Sequence, residues 1–475
     1  MTQDVEGKRD SYVIYPRRFR WLKRGARGFV LLLLIAGILR FLWGYEADER
    51  FAELGPAARA RGEPFYPEDF RQLPIPDEEN AAVPIQTAVE QLSAAKVYPS
   101  QFVTSEVRPP EAKYLPQIEA LVSQCQSELQ LVRSARSRPK AIYAGVPSYP
   151  RFKNGVPNST SYLTLSRVLG LAAEAARARN RDSDAIEYVH DILVVEDTVG
   201  HSRGSYIDHL CMMSLDNIAT RLVFQGAADL KVDSDSKTGA SREEISKIIA
   251  LLLDESTLRT CAVNGYFDAR MQILSSVASK SPGLSMSWFN EPAFKLDCCR
   301  LDQHYQMAVN ACRQSNWQSA RRIDSDPFDA TFPGCQRLET FVHPLTAFSG
   351  PRNGRITQFF RTLSDRRMAA TMLAIRLYAV DHQGALPESL SALVPQYLPA
   401  VPSDPFDAND HPIRYLPKYS PPVLYSVGQD GKDDSSARMT MSRWRGKDDI
   451  YPLVAEPRIS PPRKPTTRRS TVPQK

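Results

Sequence analysis

The run GFVLLLLIAGILRFLWGY, residues 28–45, constrains this chain more than any other stretch, because Arg40 is its only charged residue. At about 1.5 Å rise per residue it makes a helix of about 27 Å, enough to cross a thin bilayer. Arg17, Arg18, Arg20, Lys23, Arg24 and Arg27 stand before it, and Glu46, Asp48 and Glu49 follow. By the positive-inside rule, residues 1–27 form a basic cytoplasmic segment, residues 28–45 a single transmembrane anchor, and the rest lies outside. Arg40 is close enough to the outer end to snorkel, and Trp43 and Tyr45 suit the interfacial belt. A cleaved signal peptide is the rival reading, because the strictly apolar part is only Gly28 to Leu39. No small-x-small site follows it, since Ala47 has Tyr45 two residues before it, and this favours an uncleaved signal anchor.

The formal charge of +6 has to be located before it says anything about partners. Residues 1–27 and 457–475 together carry +11, so residues 28–456 are net acidic at −5. Such a body offers no basic face to track a phosphate backbone, which argues against a nucleic-acid partner. At 475 residues the chain is long enough for two or three domains. Seven cysteines, an odd number at uneven spacing, give no zinc pattern. Cys125, Cys211 and Cys261 fall on helical stretches and read as buried apolar side chains, whereas Cys298, Cys299, Cys312 and Cys335 could supply one or two disulfides.

Six prolines punctuate residues 55–84, and residues 46–84 read as an extended Pro-rich connector. A helical domain is expected over 85–278. Its first helix shows one face at Ile85, Val89 and Leu92, and further helices are expected near 116–136, 160–179, 182–198, 205–225 and 241–256. Ser241 with Glu244 forms a capping box ahead of ISKIIALLL. Residues 279–360 read as a loop-rich linking region. A long helix then begins near Ser364 or Asp365, carries the stripe Met368, Met372, Ile375 and Ala379, and stops at Gly384. With short strands after it, this makes an α+β module over 361–455, followed by a disordered basic tail at 456–475.

Few motifs carry chemistry. GHSRG, residues 200–204, fits the G-x-S-x-G nucleophile elbow with Ser202 as nucleophile, but that motif needs a strand entering the turn and the preceding segment reads as helix. His190, His201 and His209 are spaced by eleven and eight residues, which does not put metal ligands on one helical turn. Glu78 and Glu79 suit a helix N-terminus. Phosphate-loop, dinucleotide and HExxH signatures are missing from the sequence.

Residues 376–450 bear a resemblance. YAVDHQGALPESLSALVPQYLP, VPSDPFDANDHPIRYLP, LYSVGQDGKDD and the DDI at 448–450 follow one another in the order and spacing of the head of the type II secretion major pseudopilin. The resemblance covers about 75 of 475 residues. It implies a small sheet packed on one long helix, and a loop that binds calcium through aspartates and backbone carbonyls. Asp430 matches the family's Asp-Gly aspartate; the second ligand is ambiguous among Asp433, Asp434 and Asp448, and Asp430, Asp433 and Asp434 form the candidate calcium set. An Asp-Gly hairpin turn with its charges in water is the alternative. The departures are the family's Trp-Gly replaced by Phe406-Asp407, and Lys432, Asp433 and Asp434 in place of its glycines. RGFVLLLLIAGIL is similar to a prepilin leader junction at Gly28, but the family's glutamate is Leu33 here.

The expected fold is therefore mainly α: one transmembrane helix, an extracytoplasmic helical domain and a pseudopilin-like module. The expected role is a membrane-anchored interaction or scaffolding protein of a bacterial envelope, with unknown envelope partners and no evident catalysis. An envelope serine hydrolase using Ser202 and a divergent pseudopilin-like secretion component are the alternatives.

Overall fold

A computed structural model describes residues 18–97, 99, 109–143, 159–201, 206–233, 238–281, 284, 286–324, 345, 353–433 and 448–459. It is mainly helical, with one long apolar N-terminal helix and a small three-stranded sheet. The first helix, α1, runs unbroken over Arg18–Ala60. The extended connector expected from residue 46 is thus replaced by helix as far as residue 60, despite Gly55 and Pro56. Tertiary packing outweighs the breaker signal here, because Ala47, Leu54 and Ala58 are buried where α1 lies along α10, Glu291–Cys312. Gly55 permits the turn that follows: a Cβ there would stand 2.4 Å from the Tyr66 hydroxyl as the chain folds back on α1.

The central bundle follows the apolar stripes. Helix α2 spans Ala82–Ala94 and buries Ile85, Val89 and Leu92. The segment expected near 116–136 divides at Cys125 into α3, Leu115–Gln124, and α4, Gln126–Ala135. Helices α5 (Ser159–Ala178), α6 (Asp182–Gly200) and α7 (Tyr206–Gly226) pack on one another. The alanine-rich face of α5 allows close approach, and a Cβ at Gly170 would meet the Ile218 methyl at 3.2 Å. Helix α8, Arg242–Leu253, starts at Ser241, whose hydroxyl accepts the Glu244 N–H at 3.1 Å. Helix α9 is Ser256–Ala278.

Two further segments differ from the reading of the sequence. Much of 279–360 is helix, in α10 and in α11, Trp317–Asp324. Asp297, Asp302 and His304 sit buried on α10 among its apolar residues, which breaks the helical stripe in the sequence. Cys298, Cys299 and Cys312 share one helix and are not bridged to one another, with Cys312 about 20 Å along the axis from the pair. Cys335 lies outside the described residues. The long helix, α12, is Asn353–Asp381 and begins eleven residues before the expected cap. Its added turns bury Ile356, Phe359, Phe360 and Leu363. It ends as expected near Gly384, which has φ +92° and donates its N–H to the Ala379 carbonyl at 2.7 Å.

Strands β1 (Arg414–Leu416), β2 (Val423–Ser426) and β3 (Asp449–Pro452) form an antiparallel sheet in chain order. Tyr451 of β3 donates to Asp365 at 2.8 Å and stacks on Phe224 of α7 with centroids 4.0 Å apart. The same hydrophobic cluster runs from Leu54 to Tyr451, so the C-terminal elements share the bundle's core.

At the centre of that core sits Arg366 of α12, 3% exposed. Its guanidinium donates to the Leu251, Leu252 and Asp254 carbonyls, the orphan acceptors at the end of α8, and to Asp216 of α7, with Glu196 of α6 at 3.4 Å. Burial, only partly offset by Arg366, raises Asp216 to about 6. Burial and the Asp216 charge push Glu196 well above the usual carboxylate range. Of the two carboxylates, Asp216 is the one that the Arg366 guanidinium bonds more closely. Replacing Arg366 by Met strands the Asp216 carboxylate and three carbonyls. Chemical denaturation of the full chain in detergent is expected to show a loss of roughly 3–5 kcal/mol, part of it recovered in Arg366→Met/Asp216→Asn.

Candidate binding cleft and the sequence-predicted sites

Ser202 lies outside the described residues, but the backbone leading to it is described. The 19-residue helix α6, not a strand, enters the turn at Gly200, and α7 leaves it at Tyr206. The three histidines have separate neighbours. His190 bonds Glu244, His201 Nδ1 pairs with the Asp197 carbonyl at 2.8 Å, and His209 is buried between Tyr206 and Phe359. Burial lowers His209 to about 4, so this imidazole is neutral.

Of the candidate calcium set, Asp434 is outside the described residues. Asp430 is exposed, and its Oδ1 accepts the Lys432 N–H at 3.1 Å, an Asx turn. Asp433 accepts the Tyr425 hydroxyl at 3.2 Å and lies 3.6 Å from the Arg414 Nε. Gly428 and Gly431 have positive φ. The loop is seated on α11, because the Gln429 carbonyl accepts from Trp317 Nε1 at 3.2 Å and Gln318 Nε2 at 3.3 Å. A Cβ on Gly431 would reach to 2.5 Å from that Gln318 nitrogen. Among the described residues, no three His, Cys, Asp or Glu side chains converge as a metal site.

The carboxylates that organise this region are Asp404, which with Pro405 reads in the sequence as a turn former, and Asp407, which reads there as a departure from the family's Trp-Gly. Asp404, fully buried, accepts from the Phe406 and Val427 N–H groups and the Ser426 hydroxyl at 2.8–3.0 Å. Asp407 takes the Asn409 N–H and the Arg414 guanidinium. Burial opposes its charge, but those donors outweigh it and hold the carboxyl at about 2.

A concave site lies elsewhere, between α5, α6 and α7, with about 540 Å³ of free space that includes open solvent. Ala173, Ile186, Val189, Leu222 and Leu373 supply apolar walls, and Glu174, Arg177 and Gln225 supply the polar atoms. Glu174 is buried beside Arg221 at 3.2 Å, and burial raises its carboxyl. Gln225 is 2% exposed, and its Nε2 has no hydrogen-bond partner. The segment after β3 crosses the rim. Arg177 donates to the Glu456 carbonyl at 2.7 Å, and Arg458 holds both Asp182 and Asp229. Residues 456–459 are therefore fixed to the body rather than part of the expected disordered tail. Residues 460–475 lie outside the described residues.

Comparison with known proteins gives no match: no family model fits the chain, and no curated protein and no solved structure is significantly similar to it.

Two outcomes follow from that geometry. Asp407 is more acidic folded than unfolded, so its stabilisation is complete above the ordinary carboxyl value near about 4 and is lost as pH falls toward about 2. Unfolding free energies from urea titrations of wild type and Asp407→Asn should differ by roughly 1–3 kcal/mol at neutral pH and converge over that acid window. Arg458→Ala leaves Asp182 only the Lys231 N–H at 2.9 Å. Hydrogen exchange in 453–459 should rise while α5 and α7 stay protected.

Proposed function

We propose that this is a membrane-anchored extracytoplasmic interaction or scaffolding protein of a bacterial envelope. One observation carries the reading: α1 changes character along its length. From Trp21 to Leu42 its large apolar side chains stand exposed, and the most apolar window is 0% buried, whereas from Ala47 onward it packs into the body. A helix that exposes Leu31, Leu32, Leu33 and Leu34 to solvent needs an apolar medium around it, and a bilayer supplies one. By the positive-inside rule, the basic residues before the run and the acidic ones after it favour a body outside.

The seating of α1 supports a rigid attachment. Arg270 of α9, 1% exposed, donates to Glu63 at 2.9 Å, to Asp302 at 3.0 Å and to the Pro64 carbonyl at 2.8 Å. Gln306 also bonds Glu63, and Arg61 pairs with both carboxylates. The chain leaving α1 is thereby held to α9 and α10 by charges shielded from solvent, where they are screened little by salt.

The test is topological. In spheroplasts, an epitope before residue 18 should resist added protease while one after residue 459 is cleaved. Alkaline carbonate should leave the protein in the membrane pellet. Cleavage of the N-terminal epitope, or release by carbonate, refutes the reading.

A further inference from the structure

The turn before α10 exposes two large aromatic rings, Trp288 at 70% and Phe289 at 56%. Such exposure side by side is unusual for a surface in water. The turn is also well built. Asn290 Oδ1 accepts the Ser287 N–H at 2.6 Å and the Ser287 hydroxyl at 3.0 Å, and Leu284 and Met286 pack inward on the core. The rings are held outward by a fixed scaffold.

Their position follows from α1. The Trp288 carbonyl accepts a hydrogen bond from Arg40, the one charge inside the apolar run. The Arg40 guanidinium lies 4.6 Å from the Trp288 ring and 5.8 Å from the Trp43 ring, within cation–π range of both. Next along, Pro292 meets the Gly44 position at 4.0 Å, and Lys295 pairs with Asp48. Asp302 then approaches Arg61 at 3.5 Å. Helices α1 and α10 thus run side by side in the same direction, and the aromatic turn is level with residues 40–44, inside the apolar segment.

We propose that the Ser287–Asn290 turn is a second membrane contact, with Trp288 and Phe289 seated in the headgroup–acyl boundary of the outer leaflet beside α1. The inference rests on α1 spanning the bilayer. Aromatic rings favour this boundary, where an apolar body and a polar edge are both satisfied. Arg40 fits the same level: its charge is shared between two indoles and a carbonyl instead of facing lipid alone. The turn completes an interfacial belt begun by Trp43 and Tyr45, so one belt draws on segments some 245 residues apart in the chain, as the 248-residue separation of Arg40 and Trp288 shows.

The full-length chain is reconstituted in phosphatidylcholine–phosphatidylglycerol vesicles with benzoylphenylalanine introduced singly at Leu34, Phe289 or Asp430. Asp430 is exposed beside α11, beyond the far end of α10, and serves as the distant reference. After irradiation, lipid adducts are read by mass spectrometry. Adducts at Leu34 and Phe289, each about tenfold above Asp430, are the expected result for a mid-span and an interfacial site. Adducts at Leu34 with Phe289 no higher than Asp430 overturn the proposal and leave the anchor standing. Protein adducts at Phe289 replace it with a docking surface for another chain. No lipid adduct at Leu34 refutes the anchor and the proposal together.

Discussion

A single guanidinium buried where four helices meet sets the arrangement of the bundle. Arg366 lies on α12, yet its five donors are taken up by the end of α8 and by carboxylates of α7 and α6. Such a group tolerates no slippage, because a shift of one turn would leave a cation and several carbonyls in a dry interior. Its neighbour Arg367 extends the clamp to Glu255 at the start of α9 and to the Ser403 carbonyl before the sheet. The C-terminal helix and strands are thus joined to the bundle by polar geometry as well as by the shared apolar core.

The same device recurs at the foot of the molecule, where Arg270 collects Glu63, Asp302 and a backbone carbonyl. It recurs at the rim of the cleft, where Arg458 collects Asp182 and Asp229. Apolar packing alone would allow helices of this bundle several registers, since alanine-rich faces are smooth. Each arginine selects one. The selection works through directional donors rather than through net attraction, consistent with buried ion pairs adding little to stability in themselves.

Much of the local structure was legible in the sequence. The apolar run, the Ile85–Val89–Leu92 face, the Ser241 cap and the Gly384 stop each depend on residues close in the chain. What was not legible depended on residues far apart. Gly55 and Pro56 read as a break because their packing partners on α10 come about 240 residues later, as the 241-residue gap between Arg61 and Asp302 shows. Helix α10 was hidden because Asp297, Asp302 and His304 occupy its buried face. No local pattern could join Arg366 to Asp216, 150 residues away, or mark Asp404 as a buried staple rather than a turn former. The Ser202 motif and the Asp430 loop were legible because their residues are close in the chain.

The unbroken passage of α1 from the apolar run into the body has a mechanical meaning. A flexible tether would let the body wander over a wide volume and point any face toward a partner. A stiff helix clamped at one end by Arg270 leaves the body a narrow cone of motion relative to residues 28–45. On the proposed anchoring, encounters would be confined to a thin shell at one distance from the bilayer, favouring partners mounted at the matching height. The same stiffness makes the helix a lever: a sideways load on the body becomes a tilt of residues 28–45.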